Sequence, residues 1–354
     1  MPVAISKGEL ADEASSKYYA RYRPDLMTLP PLLRQLGLGK LALGLWHRPL
    51  GRLRDSWRNG GPLAERETER QRRQMLAAAS ALPPLPARPD SPRVTLHLLT
   101  GRRFWYQTAF CLHTFAQQSD RGVDAELYDD GTLDDALGLQ LRRLGPGIQL
   151  HAADHIRERL ETLLPERKFP VLRERWRNYP NIRKLTDPHL GSTGWKLVLD
   201  SDLLFFRRPG FLLDWLAAPD RPLHAVDCEE SYGYSRSLLE RLAGAPLPPL
   251  VNVGLCGLRS ESLDWAEIEA WCGELITREK TSYYLEQALV AMLAARLQPC
   301  AIAPAEDYVT KPDRANGSKP RPVMHHYVAE SKRRYFRHDW RLSVRSLPPR
   351  LPTP

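Results

Sequence analysis

Apolar and polar positions change rhythm along the chain, and the changes mark out elements. Arg93–Leu99 (RVTLHLL) is a short apolar, β-branched run that stops at Thr100-Gly101 and predicts a strand. A helix-like stretch follows, then Val123–Tyr128 (VDAELY) predicts a second strand, closed by Asp129-Asp130-Gly131. Gly147–His151 (GIQLH) gives a third strand and Ile156–Leu164 a helix. Trp195–Leu199 (WKLVL) is a fourth strand and delivers the chain to Asp200-Ser201-Asp202. Strands separated by helices predict an α/β fold with a doubly wound, mostly parallel sheet. In such sheets ligands sit beyond the carboxyl ends of the strands. Further on, Pro222–Val226, Val251–Leu258 (VNVGLCGL) and Val323–Tyr327 (VMHHY) read as strands. Leu263–Ile276 and Tyr283–Arg296 read as helices, and Pro304–Pro322 as loop.

Proline divides this pattern from what precedes it. Leu82–Pro92 (LPPLPARPDSP) is an extended linker in which helix is disfavoured. Before it, Lys40–Arg58, broken by Pro49, and Ala64–Ala79 carry arginines among scattered apolar positions. The expected organisation is a basic helical extension with its linker over 1–90, a main domain over 91–342 and a basic, proline-containing tail over 343–354. The extension reads either as an appendage packed on the main domain or as an anchor at an anionic membrane surface.

Charge and cysteine content narrow the classes. The 354 residues carry a net charge of +9, which brings nucleic acid, lipid headgroups and phosphorylated metabolites into consideration. No apolar run approaches the roughly 20 residues of a membrane span, and the start lacks the charged-then-apolar order of a secretory signal. Five scattered cysteines without a CxxC pair argue against a zinc ribbon or disulfide framework and for a reducing cytosol. The expected location is cytoplasmic, with peripheral contact at the inner membrane surface if the basic extension binds there.

The first candidate for chemistry is Asp200-Ser201-Asp202. Two carboxylates at i and i+2 after an apolar strand can share a divalent cation with a diphosphate, because hard oxygen ligands suit Mg²⁺ or Mn²⁺. As turn residues the same aspartates would simply cap the next segment. Haloacid-dehalogenase phosphatases also place D-x-D after a strand, but they want Thr or Val where this chain has Leu204, and they place it on the first strand. The patterns GxxxxGK[ST], GxSxG and HExxH are absent. The second candidate is His325-His326-Tyr327, followed by Lys332. A neutral imidazole can complete a site begun by two carboxylates, and a lysine can meet phosphate as a point cation.

Taken together, these landmarks resemble the GT-A nucleotide-sugar glycosyltransferases. The resemblance is closest to glycosyltransferase family 8, which includes glycogenin and bacterial lipopolysaccharide glycosyltransferases. It rests on the D-x-D in KLVLDSDLLFFRRP, Lys184 in IRKLTDP, Asn252-Val253-Gly254 as the family's NxG, and His326, Ala329 and Lys332 in the spacing HxxGxxK. It spans roughly Val94 to Arg341. The chain departs from the pattern at Ala329, which replaces a glycine, and at Arg333-Arg334, which replaces Pro-Trp.

The resemblance implies a GT-A-type sheet and transfer of a sugar from a nucleotide-sugar donor, a UDP-sugar, with retention of configuration. It implies Mn²⁺ (or Mg²⁺) held by Asp200, Asp202 and His326. Glu286 and Gln287 would lie near the donor's anomeric carbon as the catalytic pair. Lys184, Arg183, Asn252, Asp200 and Lys332 would contact the donor, with Thr100, Gly101 and Asp130 (or Asp129) at its base and ribose. Trp105 or Phe104 would stack on the base, and Asp227 would hold acceptor hydroxyls. The acceptor class (glycan, lipid or protein) stays open, and no nucleic acid partner is expected. The rival reading is a non-catalytic protein binding nucleic acid or an anionic surface through its basic regions, although no RNA- or DNA-binding motif supports it. A second rival is a glycosyltransferase-like fold that has lost activity.

Overall fold

The computed structural model describes residues 61–312 and 321–345. Lys40–Arg58 and the tail beyond 345 lie outside the described residues, so neither reading of the basic extension before residue 61 has a structural counterpart. The chain divides into two compact units, Met1–Arg70 and Gln71–Pro354. No described helix is long and apolar enough to cross a membrane.

Helix α1 (Gly61–Ala79) precedes the proline-rich linker. Its C-terminal turns belong to the main core, where Met75, Ala79 and Leu82 are buried. The α/β order then runs β1 (Arg93–Thr100), α2 (Trp105–Gln118), β2 (Gly122–Asp129), α3 (Asp135–Arg142), β3 (Ile148–His151), α4 (Ala153–Leu163), α5 (Pro170–Asn178), α6 (Arg183–His189) and β4 (Trp195–Leu199). After Asp202 come β5 (Leu203–Phe205), α7 (Gly210–Ala217), β6 (Leu223–Val226), α8 (Arg236–Ala243), β7 (Val251–Arg259), α9 (Trp265–Glu279), α10 (Leu285–Arg296), β8 (Ala301–Ile302), β9 (Tyr308–Thr310) and β10 (Met324–His326). A helical segment, Lys332–Arg334, Tyr335–Asp339 and Trp340–Arg345, closes the described chain.

The seven-stranded sheet has the order β3-β2-β1-β4-β7-β6-β8, and only β7 runs against its neighbours. The expected doubly wound, mostly parallel α/β sheet is therefore what the chain forms. Its central strands are buried on both faces, which is why they read as near-continuous apolar runs. A second sheet, β5-β10-β9, stands beside it. The segment expected as loop over Pro304–Pro322 in fact contains β9. Three residues, YVT, are too few to show the period-two alternation that reveals a strand.

Two local features bring distant residues together. A register shift in the β6–β7 pairing sets His224 opposite Cys256 but Ala225 opposite Asn252. The intervening part of β7 follows β4 instead, with Leu255 opposite Leu199 and Asp200 N donating to Gly254 O at 2.8 Å. Then β5, immediately after Asp202, pairs antiparallel with β10 so that His326 faces Leu203. Tyr327 N donates to Asp202 O at 3.1 Å and continues that pairing.

The sheet and helices also bury neutral histidines, and this sets a pH dependence. Burial pushes His97 and His189 down to about 3 and His113 down to about 4. Below about 6.5 the unfolded chain binds these three protons before the folded one does, so stability falls as pH drops from there. Glu286, raised to about 7 by burial, works in the opposite direction. His326, raised to about 9 by two carboxylates, does the same, but three groups outweigh two, and each net proton is worth about 1.4 kcal/mol per pH unit. The urea midpoint is expected to be lower at pH 5 than at pH 7.5; an equal or higher midpoint would contradict the neutral burial of these side chains.

Candidate active site

Asp200, Asp202 and His326 converge where β4 ends and β5 meets β10. One ligand atom from each lies within 4.8 Å of the others. His326 Nε2 is 3.4 Å from Asp202 Oδ1 and 3.6 Å from Asp200 Oδ2. The ring is buried, and Nε2 has no hydrogen-bond partner among the described residues.

The other ring nitrogen explains the NxG motif. His326 Nδ1 lies 3.0 Å from Asn252 Oδ1, which also accepts from Gly254 N at 3.0 Å. Asn252 Nδ2 donates to Asp227 Oδ2 at 3.1 Å, so the amide oxygen must face the histidine. Nδ1 therefore carries a proton, which leaves Nε2 as the nitrogen that faces the carboxylates and that a metal would take once its own proton is lost. Glycine at 254 is required because a Cβ there would stand 2.2 Å from His326 Cε1. Replacing Asn252 with Ala is expected to weaken Mn²⁺ binding about 10- to 100-fold, since the tautomer loses its hold. Calorimetric titration of the variant would check this, and wild-type affinity would contradict the assignment.

Lysines flank both carboxylates. Lys184, in the first turn of α6, places Nζ 2.8 Å from Asp200 Oδ1 and 3.3 Å from Glu286 Oε2. Lys332 Nζ is 3.5 Å from Asp202 Oδ2. Burial alone would raise both aspartates, but Lys184 and His326 hold Asp200 well below its usual range, and Lys332 and His326 lower Asp202. Burial likewise opposes the charge on His326, yet the two carboxylates raise it to about 9. Glu286 rises to about 7 because burial outweighs the attraction of Lys184. A divalent cation fits this donor set: two carboxylates and an imidazole whose buried nitrogen has a fixed tautomer and no other partner.

The remaining expected site residues divide. Glu286 and Gln287 are buried in the first turn of α10. Gln287 Nε2 donates to Asp227 Oδ2 at 2.8 Å and to Val251 O at 2.9 Å, tying Gln287, Asp227 and Asn252 into one network that reaches His326. Gly101 lies so close to Asp130 that a Cβ would stand 2.1 Å from its Oδ1. Asp130 itself accepts from the backbone and hydroxyl of Thr132, and Asp129 accepts from Gly131 N, Thr132 N and Leu133 N. Thr100 is buried, its hydroxyl 2.9 Å from that of Thr108. Trp105 is packed in the main core, while Phe104 stands at the start of α2.

Arg183 is buried, donating to Asp187 Oδ2 at 2.9 Å and Asp129 O at 2.8 Å with its guanidinium over the Trp176 ring. Its partners thus lie within the protein. Ala329 has a left-handed backbone with φ of 49°, which costs a residue other than glycine some conformational energy.

The fold and site define an α/β protein with a carboxylate–imidazole centre at the carboxyl edge of its sheet. No protein-family profile and no curated protein sequence matches the chain. Solved structures that it is similar to include glycosyltransferases. Mouse xyloside xylosyltransferase 1, in its apo form, is 11% identical with a TM-score of 0.47, over 66% of this chain and 97% of that one. The galactosyltransferase LgtC, solved with donor and acceptor sugar analogs, is 13% identical with a TM-score of 0.45, over 66% and 87%. The bifunctional glycosyltransferase WbbM, also apo, is 11% identical with a TM-score of 0.44, over 70% of this chain and 47% of that one.

Proposed function

We propose that the chain is a metal-dependent glycosyltransferase that moves a sugar from a UDP-sugar to an acceptor, with retention of configuration. The observation that carries this reading is the convergence of Asp200, Asp202 and the unpartnered Nε2 of His326 beyond β4. These three residues would hold Mn²⁺, which when bound supplies Lewis-acid stabilisation to a diphosphate leaving group.

The chain's own residues do the rest. Lys332 adds a point charge where the departing diphosphate gathers negative charge. Lys184 neutralises Asp200 and Glu286 together and holds both in place. Glu286 is committed to that lysine, so the group left to face the donor sugar is the Gln287 amide. Its nitrogen is fixed by Asp227 and Val251, and its oxygen, on the other branch, makes no hydrogen bond among the described residues. Asp227 lies alongside to orient an acceptor hydroxyl.

A thermal-denaturation panel of nucleoside diphosphates, each with and without Mn²⁺, tests the reading. UDP at about 100 times its Kd should add roughly 2.7 kcal/mol of stability, and only with metal. Preference for GDP would replace the donor assignment. No response to any nucleotide with metal present would overturn the glycosyltransferase reading.

A further inference from the structure

The far face of β10 carries a second polar network, made of residues that the proposed transfer does not use. His325 and His326 are successive strand residues, so their side chains leave β10 on opposite faces. On the face away from the carboxylates the His325 ring stands edge-on to Phe206, with centroids 5.0 Å apart. Its Nδ1 is 3.1 Å from the Tyr327 hydroxyl. That hydroxyl donates to Asp339 Oδ2 at 2.6 Å, and Arg334 Nε donates to the same oxygen at 2.7 Å. Tyr327 and Asp339 are both buried. A hydroxyl–carboxylate bond of this length belongs to the strong, charge-assisted kind.

These contacts join the two ends of a loop that contains Lys332. Tyr327 follows β10 directly, and Asp339 ends a π-helical turn, Tyr335–Asp339. Such turns are rare and recur at functional sites. Between the two ends, Ala329 has its left-handed backbone, and Lys332, Arg333 and Arg334 are each half-buried. The ends themselves are packed. The Tyr335 ring lies against that of Tyr327 with centroids 4.7 Å apart, and Trp340 meets Phe110 of α2 edge-on at 5.6 Å. A lysine is a point charge on a flexible stem, so its placement 3.5 Å from Asp202 Oδ2 depends on how firmly this loop is held.

We propose that Asp339 is a positioning residue for Lys332. By taking the Tyr327 hydroxyl and Arg334 Nε on one oxygen it clamps the loop across the back of β10 and fixes the ammonium beside Asp202. The service of that ammonium to a diphosphate rests on the glycosyltransferase reading; the clamp does not.

The test compares the full-length wild type with Asp339→Asn, Lys332→Met and the double variant. Tyr327→Phe, which keeps the ring and removes the hydroxyl, replaces Asp339→Asn if urea unfolding shows that the latter does not fold. Two quantities are measured: the rate at which acetic anhydride acetylates Lys332 in the unliganded protein, and calorimetric affinities for Mn²⁺ alone and for UDP and pyrophosphate with Mn²⁺. In Asp339→Asn, acetylation of Lys332 is expected to rise several-fold and Mn²⁺ affinity not to fall. UDP and pyrophosphate affinity should drop about tenfold, with no further drop when Asp339→Asn is added to Lys332→Met. A drop that is as large in the Lys332→Met background would show a merely structural role and overturn the proposal. Unchanged acetylation and unchanged affinities would also overturn it and leave the glycosyltransferase reading standing. A wild type that binds pyrophosphate but not UDP, with the same dependence on Asp339, keeps the clamp while that reading falls. If the wild type binds neither, the reading falls and acetylation decides: a several-fold rise in Asp339→Asn upholds the positioning of Lys332, and an unchanged rate overturns it.

Discussion

Asp202→Asn is expected to erase the metal-dependent stabilisation by UDP and to lower sugar transfer by at least about a hundredfold, the scale of losing one group that acts on developing charge. The carboxylate is one of three ligand atoms, and its replacement removes a negative charge where Mn²⁺ would bind. The fold should survive. The backbone contact from Tyr327 N to Asp202 O does not involve the side chain, and Asn keeps the side chain's shape. His326→Ala should have the same functional effect for a different reason, since it removes the only neutral ligand and the ring packed against Gly254. The panel with and without Mn²⁺ reads both variants. If either one kept a wild-type response to UDP and metal, the three-residue centre would be wrongly assigned.

The same centre shows what could be read from sequence and what could not. Asp200 and Asp202 were legible because an apolar run, LVL, must end where the chain leaves the sheet, and the residues there are exposed to ligand by topology. Asn252-Val253-Gly254 was legible as a motif, but its use as a donor contact was not what the geometry emphasises. Asn252 orients His326, and Gly254 makes room for the ring. The pairing of β5 with β10, which actually carries His326 to Asp202, left no periodicity because each strand has only three residues.

For Arg183 and Trp105 residue type alone decides nothing. An arginine that pairs with a buried aspartate and stacks on tryptophan has the same one-letter code as one that binds phosphate. Trp105 has the same ambiguity between stacking on a base and filling a core. The end of α1 is ambiguous for the opposite reason: it lies before a linker that composition marks as a boundary, and only the burial of Met75 and the grip of Arg341 show that it packs on the main core.

Lys184→Met is expected to be among the most destabilising single changes at neutral pH, on the order of 3–5 kcal/mol, because it leaves buried carboxylates without their shared cation. Lys184 is buried between Asp200 and Glu286, and the methionine stem fills its volume, so the loss reports charge rather than packing. The sign with pH follows from Glu286. Its folded value of about 7 already lies above the ordinary carboxyl range, and without the ammonium it rises further. A carboxyl raised on folding contributes stability that is present below its unfolded value and is lost as pH rises through its folded value. The gap between wild type and Lys184→Met should therefore widen between pH 5 and pH 8.5 in urea denaturation. A gap that stays constant or narrows would mean that Glu286 does not share the lysine. Adding Glu286→Gln to Lys184→Met should recover part of the loss at pH 8.5, because Asp200 then has no second buried carboxylate to oppose and still faces His326.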